Sequence, residues 1–316
     1  MRSLKVLSII GYTRSGSTLL DSVLGQLDGF FSTGELHYLW ERGLLEARRC
    51  GCGEPLPECP VWTAVLAAGF GDGVPDPLQV GRWQDRSVRS RHTLPLLRGG
   101  RGPGIDEAAL ARYREVAGAL YRGIADATGA RVIVDSSKRP SDGALTRLLP
   151  DVDPYFVQLV RDPRAVVYSW RRVKRELDTD AGDATMPRQG RVASAFGWTE
   201  LNALSDLVRW RAGRERSLLV RYDDFVAHPR ETVAAIGRLV GEPLGDLPFD
   251  GDHDLRMAPT HTVSGNPARF STGTVTLRPD QEWLTAMPGT DRWLTTALTL
   301  PLLPRYRFPI VPRRPV

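Results

Sequence analysis

Gly11-Tyr12-Thr13-Arg14-Ser15-Gly16-Ser17-Thr18 follows the apolar run Val6 to Ile10 and opens an apolar-periodic stretch from Thr18 to Leu27. A glycine-bounded turn between a buried strand and a helix aims backbone N–H groups and the positive end of the helix dipole at one point. That makes a concave anion site. A nucleotide-hydrolysing loop of this spacing needs lysine directly after its second glycine to reach the outer phosphates, and its next hydroxyl holds magnesium. Ser17 stands at that lysine position here, and the basic residue lies inside the loop as Arg14. The turn reads as an anion site without the main cation of a triphosphate–magnesium centre.

Outward from the loop, Val132 to Val134, Phe156 to Val160 and Leu218 to Val220 suit buried parallel strands, as does the segment near Phe30 to Ser32. The spacing predicts helices over about Leu36 to Ala47, Asp106 to Thr128, Asp142 to Leu149, Arg164 to Glu176, Val192 to Arg216 and Glu231 to Val240. Alternating strands and helices predict an α/β fold, a P-loop NTPase-like three-layer sandwich with a central parallel sheet and helices on both faces. A single domain is expected over residues 1–316. The stretch at about 50–104 is rich in Gly, Pro and Arg without a sustained period, and reads as an irregular insertion or lid. Asp178 to Gly190 reads as a surface loop, and about 270–316 as an irregular extension with one or two helices between Asp280 and Leu300.

The 316 residues are 41% hydrophobic and 25% charged, which excludes whole-chain disorder. Only Lys5, Lys138 and Lys174 are lysines among the 42 basic residues, so any basic site will be built largely of arginine. The net charge of +5 is too small for a nucleic-acid coat, and no nucleic-acid partner is expected. Neither a signal-peptide core nor a membrane-length run of ~18 apolar residues is present, so a cytoplasmic protein is expected. A homodimer is compatible with the sequence. Cys50, Cys52 and Cys59 lie close together in CGCGEPLPECPVW. They read as small buried thiols in a Gly/Pro-shaped loop, or less readily as three of four zinc ligands with distant His37 or His92 completing the set.

Val157-Gln158-Leu159-Val160-Arg161-Asp162-Pro163-Arg164-Ala165-Val166-Val167-Tyr168-Ser169 is a buried strand, a basic turn and a helix start. A guanidinium at the strand end can fork a phosphate that a hydroxyl in the following helix completes; the plainer alternative is a surface pair between Arg161 and Asp162. Together with Arg14-Ser15-Gly16-Ser17-Thr18-Leu19-Leu20, this segment resembles the sulfotransferases that use 3′-phosphoadenosine 5′-phosphosulfate (PAPS), in particular bacterial members and tyrosylprotein sulfotransferases. The resemblance implies that Arg14, Ser15, Gly16, Ser17 and Thr18 hold the 5′-phosphosulfate end, and that Arg161 and Ser169 clamp the 3′-phosphate. Val220-Arg221-Tyr222-Asp223-Asp224-Phe225 is similar to a strand end where the family's tyrosine lies near the adenine. Tyr222 could equally pack the sheet edge. His261 to Arg269 is similar to a late segment that folds over the donor, which would bring in Gly265, Asn266 and Arg269.

Sulfuryl transfer is an in-line displacement that needs cations at the leaving group, one general base at the acceptor, and no metal. Glu35, after Gly34, lies close to where related members carry a base glutamate, with His37 and His92 as the alternatives. Lys138 in Val134-Asp135-Ser136-Ser137-Lys138 matches the family's strand-end lysine near the transferring group. The resemblance thus implies a catalytic set of Glu35, Lys138 and Arg14, with PAPS as donor and adenosine 3′,5′-bisphosphate (PAP) as product. The acceptor would be a hydroxyl of a small-molecule or lipid-like compound, with walls from 50–104 and 178–190. The alternatives are a P-loop nucleotide kinase or NTPase, and a non-catalytic nucleotide-binding protein.

Overall fold

The computed structural model of the chain describes residues 3–179 and 183–312. Strands β1 (Leu4–Gly11), β2 (Phe30–Ser32), β3 (Val132–Lys138), β4 (Val152–Val160) and β5 (Ser217–Arg221) form a parallel sheet in the order β2-β3-β1-β4-β5. The helices in chain order are α1 (Ser17–Leu24), α2 (Pro60–Phe70), α3 (Pro77–Ser87), α4 (Thr93–Leu97), α5 (Glu107–Thr128) and α6 (Pro140–Thr146). They continue as α7 (Pro163–Arg171), α8 (Arg191–Ala212), α9 (Tyr222–Ala227), α10 (Pro229–Val240), α11 (Trp283–Ala286) and α12 (Gly289–Thr299). The pleat sends alternate residues of each strand to opposite faces. Val6, Ile10, Ile133 and Phe156 pack beneath α5, while Leu7, Ile9, Val134 and Val157 pack beneath α1 and α10. Both faces of the sheet are covered, which explains the unbroken apolar runs of its strands. The result is the expected three-layer α/β sandwich.

The topology creates the crevice. From central β1 the chain passes to edge strand β2, returns to β3, then crosses β1 to β4 and β5. Open α/β sheets bind ligands where the connections diverge in this way, beyond the strands' carboxyl ends. The turns after β1, β2, β3 and β4 all carry the residues singled out above.

Several local expectations are corrected. The stretch at about 50–104 is largely helical, carrying α2, α3 and α4, with Trp62 and Val65 of α2 fully buried against the α5 layer. The predicted helix Leu36 to Ala47 is a 3-10 turn, Leu36–Tyr38, followed by a wider π-turn, Leu39–Leu45. The C-terminal extension is packed: Leu303, Tyr306 and Phe308 are buried with Tyr12, Val160 and Trp198. A small antiparallel sheet of β6 (Phe249–Asp250), β7 (Asp254–Met257) and β8 (Gly273–Thr276) was not foreseen. The predicted loop at 178–190 falls partly on residues 180–182, outside the described residues. Its flanks pair as a ribbon, with the Met186 N–H donating to the Lys174 carbonyl at 2.8 Å.

Asp21 of α1 is fully buried against β2, where the Ser32 hydroxyl donates to one carboxyl oxygen and the other has no partner. Burial pushes this carboxyl up to about 7, although the Ser32 hydrogen bond pulls the other way. Below about pH 3 the group is neutral in folded and unfolded chains alike and its ionisation has no effect on stability. As pH rises the unfolded chain ionises first, so stability falls until the folded value near 7 is passed. Asp21→Asn should therefore gain on the parent between those limits, by on the order of 4 kcal/mol at the upper end. Urea melts of both proteins at several pH values measure this, and a difference that does not change with pH would contradict it.

Candidate active site

The turn after β1 is shaped by two close approaches. A side chain at Gly11, at φ 140°, would meet the Leu159 carbonyl oxygen at 2.6 Å, and one at Gly16, at φ 91°, would meet the Tyr222 ring at 2.4 Å. Between them Arg14 adopts φ 65°, a left-handed backbone uncommon outside glycine. Helix α1 starts directly after Gly16 with no side-chain cap, so its first N–H groups face the crevice unpaired by side chains. Arg14 Nη1 and Ser15 Oγ are buried without a partner. Uncapped N–H groups, an orphaned guanidinium nitrogen and an orphaned hydroxyl together make an anion seat. The Arg14 guanidinium also stacks on Trp170 at 4.8 Å. Burial lowers its pKa, and the nearby Glu35 charge raises it in part.

Two cavities meet over this turn. The first, about 220 Å³, is lined by Arg14, Ser17, Thr18, Arg161, Ser169 and Tyr222 among others. The second, about 300 Å³, has walls from Tyr38, Arg42, Trp170, Met186, Pro187 and Leu201. Arg14, Glu35 and Lys138 line both and so form the boundary between them. The 178–190 segment contributes Met186 and Pro187 to the second cavity, and no residue of 50–104 lines it.

At that boundary the Lys138 ammonium donates to the Glu35 carboxylate, and both side chains are largely buried. Lys138, at φ 70°, is a second non-glycine residue in the left-handed region. Gly34, at φ 68°, makes the turn that presents Glu35, and a side chain there would strike the Ser264 carbonyl at 2.7 Å. The Glu35 N–H donates to that same carbonyl. Both alternative bases are engaged elsewhere. His37 Nδ1 lies 3.1 Å from Asp142, in a separate small cavity, and His92 is buried with its Nδ1 accepting from the Arg89 N–H.

At the far end of the first cavity stands Arg161. The expected alternative, a pair between Arg161 and Asp162, does not form: Asp162 is bonded to fully buried Arg164 at 2.6 and 2.8 Å. Arg161 is thereby left to the cleft, its guanidinium 4.5 Å above the Tyr222 ring. Tyr222 thus supports both the Gly16 turn and Arg161. Two cleft residues were missed in the sequence. Lys174, whose pKa is lowered by burial and then by Arg14 and Arg172, adds a further cation. Asp280 pairs with Arg161 at 3.0 Å and Arg172 at 2.8 Å. Burial raises the Asp280 carboxyl, but hydrogen bonds from Arg172 and Arg161 outweigh it and hold it at about 2. Neither residue belongs to a readable motif.

The late segment folds over α1, where the Asn266 N–H donates to Thr18 Oγ1 at 3.2 Å and Gly265 lies against the same hydroxyl. Asn266 lines the first cavity and Gly265 the second. Arg269 is not brought to either: its buried guanidinium donates to the Thr262 and Arg49 carbonyls, both at 2.6 Å. It lies instead inside the protein, beside Asp178 and the cysteine loop. Among the described residues no helix is long and apolar enough to cross a membrane.

Comparison with known proteins adds to this geometry. No curated protein matches in sequence. Similar solved structures include the sulfotransferase domain from the curacin biosynthetic pathway, 17% identical with TM-score 0.55, over 98% of this chain and 99% of that one. The sulfotransferase domain from the Synechococcus PCC 7002 olefin synthase is 20% identical with TM-score 0.52, over 95% of each chain. At such identities the likeness concerns the fold. The family model described as "Sulfotransferase family" matches residues 7–246, from β1 through the turn, Glu35, Lys138, Arg161 and Tyr222. The chain belongs to the sulfotransferase family.

Proposed function

We propose that this protein transfers the sulfuryl group of PAPS to a hydroxyl of a small-molecule or lipid-like acceptor. The observation that carries the reading is the meeting of two cavities at Arg14, Glu35 and Lys138. Donor and acceptor can approach from opposite sides of one group of two cations and a carboxylate, as an in-line displacement requires. The donor supplies the sulfuryl group and a nucleotide leaving group. The anion seat of the first cavity, with Arg14 Nη1 and Ser15 Oγ unpartnered, fits the phosphosulfate end, and Arg161 with Ser169 fits the 3′-phosphate.

Glu35 takes the acceptor's proton as the new O–S bond forms. Once protonated it no longer holds Lys138, whose ammonium turns to the negative charge growing on the departing oxygen beside Arg14. The second cavity, with Trp170, Met186 and Leu201 on its walls and Arg42 stacked on Tyr38 at 4.1 Å, suits an aromatic or apolar body carrying one hydroxyl. A magnesium-dependent kinase is disfavoured because Ser17 replaces the lysine that such a loop needs.

Calorimetry with PAP against ADP and AMP tests the donor. PAP should bind at least about tenfold more tightly than AMP, from the extra charge-assisted contacts. Equal affinities would exclude a 3′-phosphate clamp. Transfer of radiolabelled sulfate from PAPS to phenols, sterols and other hydroxyl compounds then identifies the acceptor.

A further inference from the structure

The three cysteines of 50–59 meet a fourth residue that is some 200 positions away in sequence. Ligand atoms of Cys50, Cys52, Cys59 and His261 all lie within 4.8 Å of one another. His261 Nδ1 is 3.3 Å from Cys59 Sγ and 3.9 Å from Cys50 Sγ, and the Cys52 and Cys59 sulfurs are 3.8 Å apart. A tetrahedral zinc centre with Zn–S of ~2.3 Å and Zn–N of ~2.0 Å has S–S edges of ~3.8 Å and S–N edges of ~3.6 Å. These three separations lie within about 0.3 Å of those edges, and the remaining pairs reach 4.8 Å at most. Sulfurs in a disulfide would be drawn to ~2.05 Å, and here they surround a common centre instead. His37 and His92, the fourth ligands considered from sequence, hold other partners, as described above.

The surroundings are those of a fixed metal clasp. Cys50 starts a tight turn in which Gly53, at φ 99°, lets the Cys50 N–H reach the Glu54 carbonyl at 2.8 Å. The backbone N–H of Cys52 points at the Cys50 sulfur, and those of Val61 and Trp62, in the first turn of α2, point at the Cys59 sulfur. Such N–H groups hold sulfur ligands in a fixed orientation. His261 is held by its own carbonyl, which accepts from Trp62 Nε1 at 2.7 Å. Three thiolates, a neutral imidazole and a divalent ion carry one net negative charge. The buried Arg269 guanidinium, bonded to Arg49 beside Cys50 and to Thr262 beside His261, lies where it can offset that charge.

We propose that Cys50, Cys52, Cys59 and His261 bind one zinc ion as a closed, structural site. Four protein ligands leave no open position, so the ion takes no part in sulfuryl transfer. Its effect is to fasten segment 260–265 to the cysteine loop. Across this seam the Gly51 N–H donates to the Thr262 carbonyl at 2.9 Å, and on its other side the segment reaches the turn after β2, where the Val263 N–H donates to the Thr33 carbonyl at 2.8 Å. Ser264, three residues past the ligand, takes the Glu35 N–H.

The test is metal analysis of the full chain, expressed in zinc-replete medium and purified without chelator. About one zinc per chain is expected, lost in Cys59→Ser and kept in His261→Cys, which preserves a thiolate ligand. Cobalt(II) added to stripped protein should give a thiolate-to-cobalt charge-transfer band and the strong visible bands of tetrahedral coordination. Removal of zinc should speed hydrogen exchange at the Gly51, Val263 and Glu35 amides. The parent measurements stand even if the cysteine variant does not fold. Metal-free protein that takes up no cobalt would overturn the proposal. So would retention of zinc in a folded Cys59→Ser variant, or a Cys52–Cys59 disulfide in the purified chain. None of these outcomes depends on whether PAPS is the donor.

Discussion

Glu35→Gln should lower kcat for sulfuryl transfer about a thousandfold while leaving PAP affinity within about threefold of the parent. Glutamine keeps the size of the side chain and an oxygen that can accept from Lys138, but it cannot take a proton. The loss should thus fall on the chemical step and leave donor binding in place. The size follows from the general range for a positioned acid–base group, and from the absence of a substitute: His37 and His92 face other partners. Single-turnover measurements with saturating donor separate chemistry from product release. A variant retaining a tenth or more of the parental rate would remove Glu35 from the base role. A non-catalytic nucleotide-binding protein, by contrast, would show no transfer for parent or variant and unchanged PAP binding in both.

Arg161→Ala should weaken PAP binding roughly a hundredfold and AMP binding hardly at all, erasing the preference for a 3′-phosphate. The guanidinium is 7% exposed at its side chain and, with Asp162 paired to Arg164, faces the cleft, where it offers a two-pronged fork that the single ammonium of Lys174 does not reproduce. Among the described residues its carboxylate contact at the cleft is Asp280, 3.0 Å away. A phosphate must therefore displace or share that contact, and Asp280→Asn should strengthen PAP binding several-fold. Isothermal calorimetry of the two variants with PAP and AMP reads both effects. An Arg161→Ala protein that still prefers PAP would place the 3′-phosphate elsewhere, with Lys174 the nearest candidate cation.

The parts legible in the sequence were those whose meaning is local. The turn from Gly11 to Thr18 carries its own backbone requirements, and Arg161 with Ser169 lie on one strand–helix unit, so their neighbourhood in space follows from their neighbourhood in the chain. The buried strands announced themselves by apolar runs covered on both faces. The helices of 60–97 stayed hidden for a specific reason. Pro60 and Pro77, part of the proline-rich composition of this stretch, occupy the first turns of α2 and α3, where proline's missing N–H has no partner to lose. The helix expected after Leu36 failed because local periodicity does not distinguish an α-turn from the 3-10 and π-turns found there. Asp280 and His261 were out of reach because each enters its site from a segment remote in sequence, and Lys174 because the helix expected to run to Glu176 ends at Arg171. Arg269 shows the opposite case: its motif placed it near the donor, but its N–H groups are turned to the Thr262 and Arg49 carbonyls.

The left-handed backbone of Arg14 and Lys138 bears on how this enzyme can be made to withstand heat. Each such residue costs of order 1 kcal/mol or more relative to glycine, which adopts the conformation freely. A search for stabilising substitutions guided by backbone geometry would select glycine at both positions. At these two places, however, the side chain is a cation on the boundary between the cavities. Glycine there would relieve the backbone and remove a cation from that boundary together, so on the proposed chemistry durability and activity pull apart at these two positions, and the helices of 60–97, away from both cavities, are the better place to seek stability.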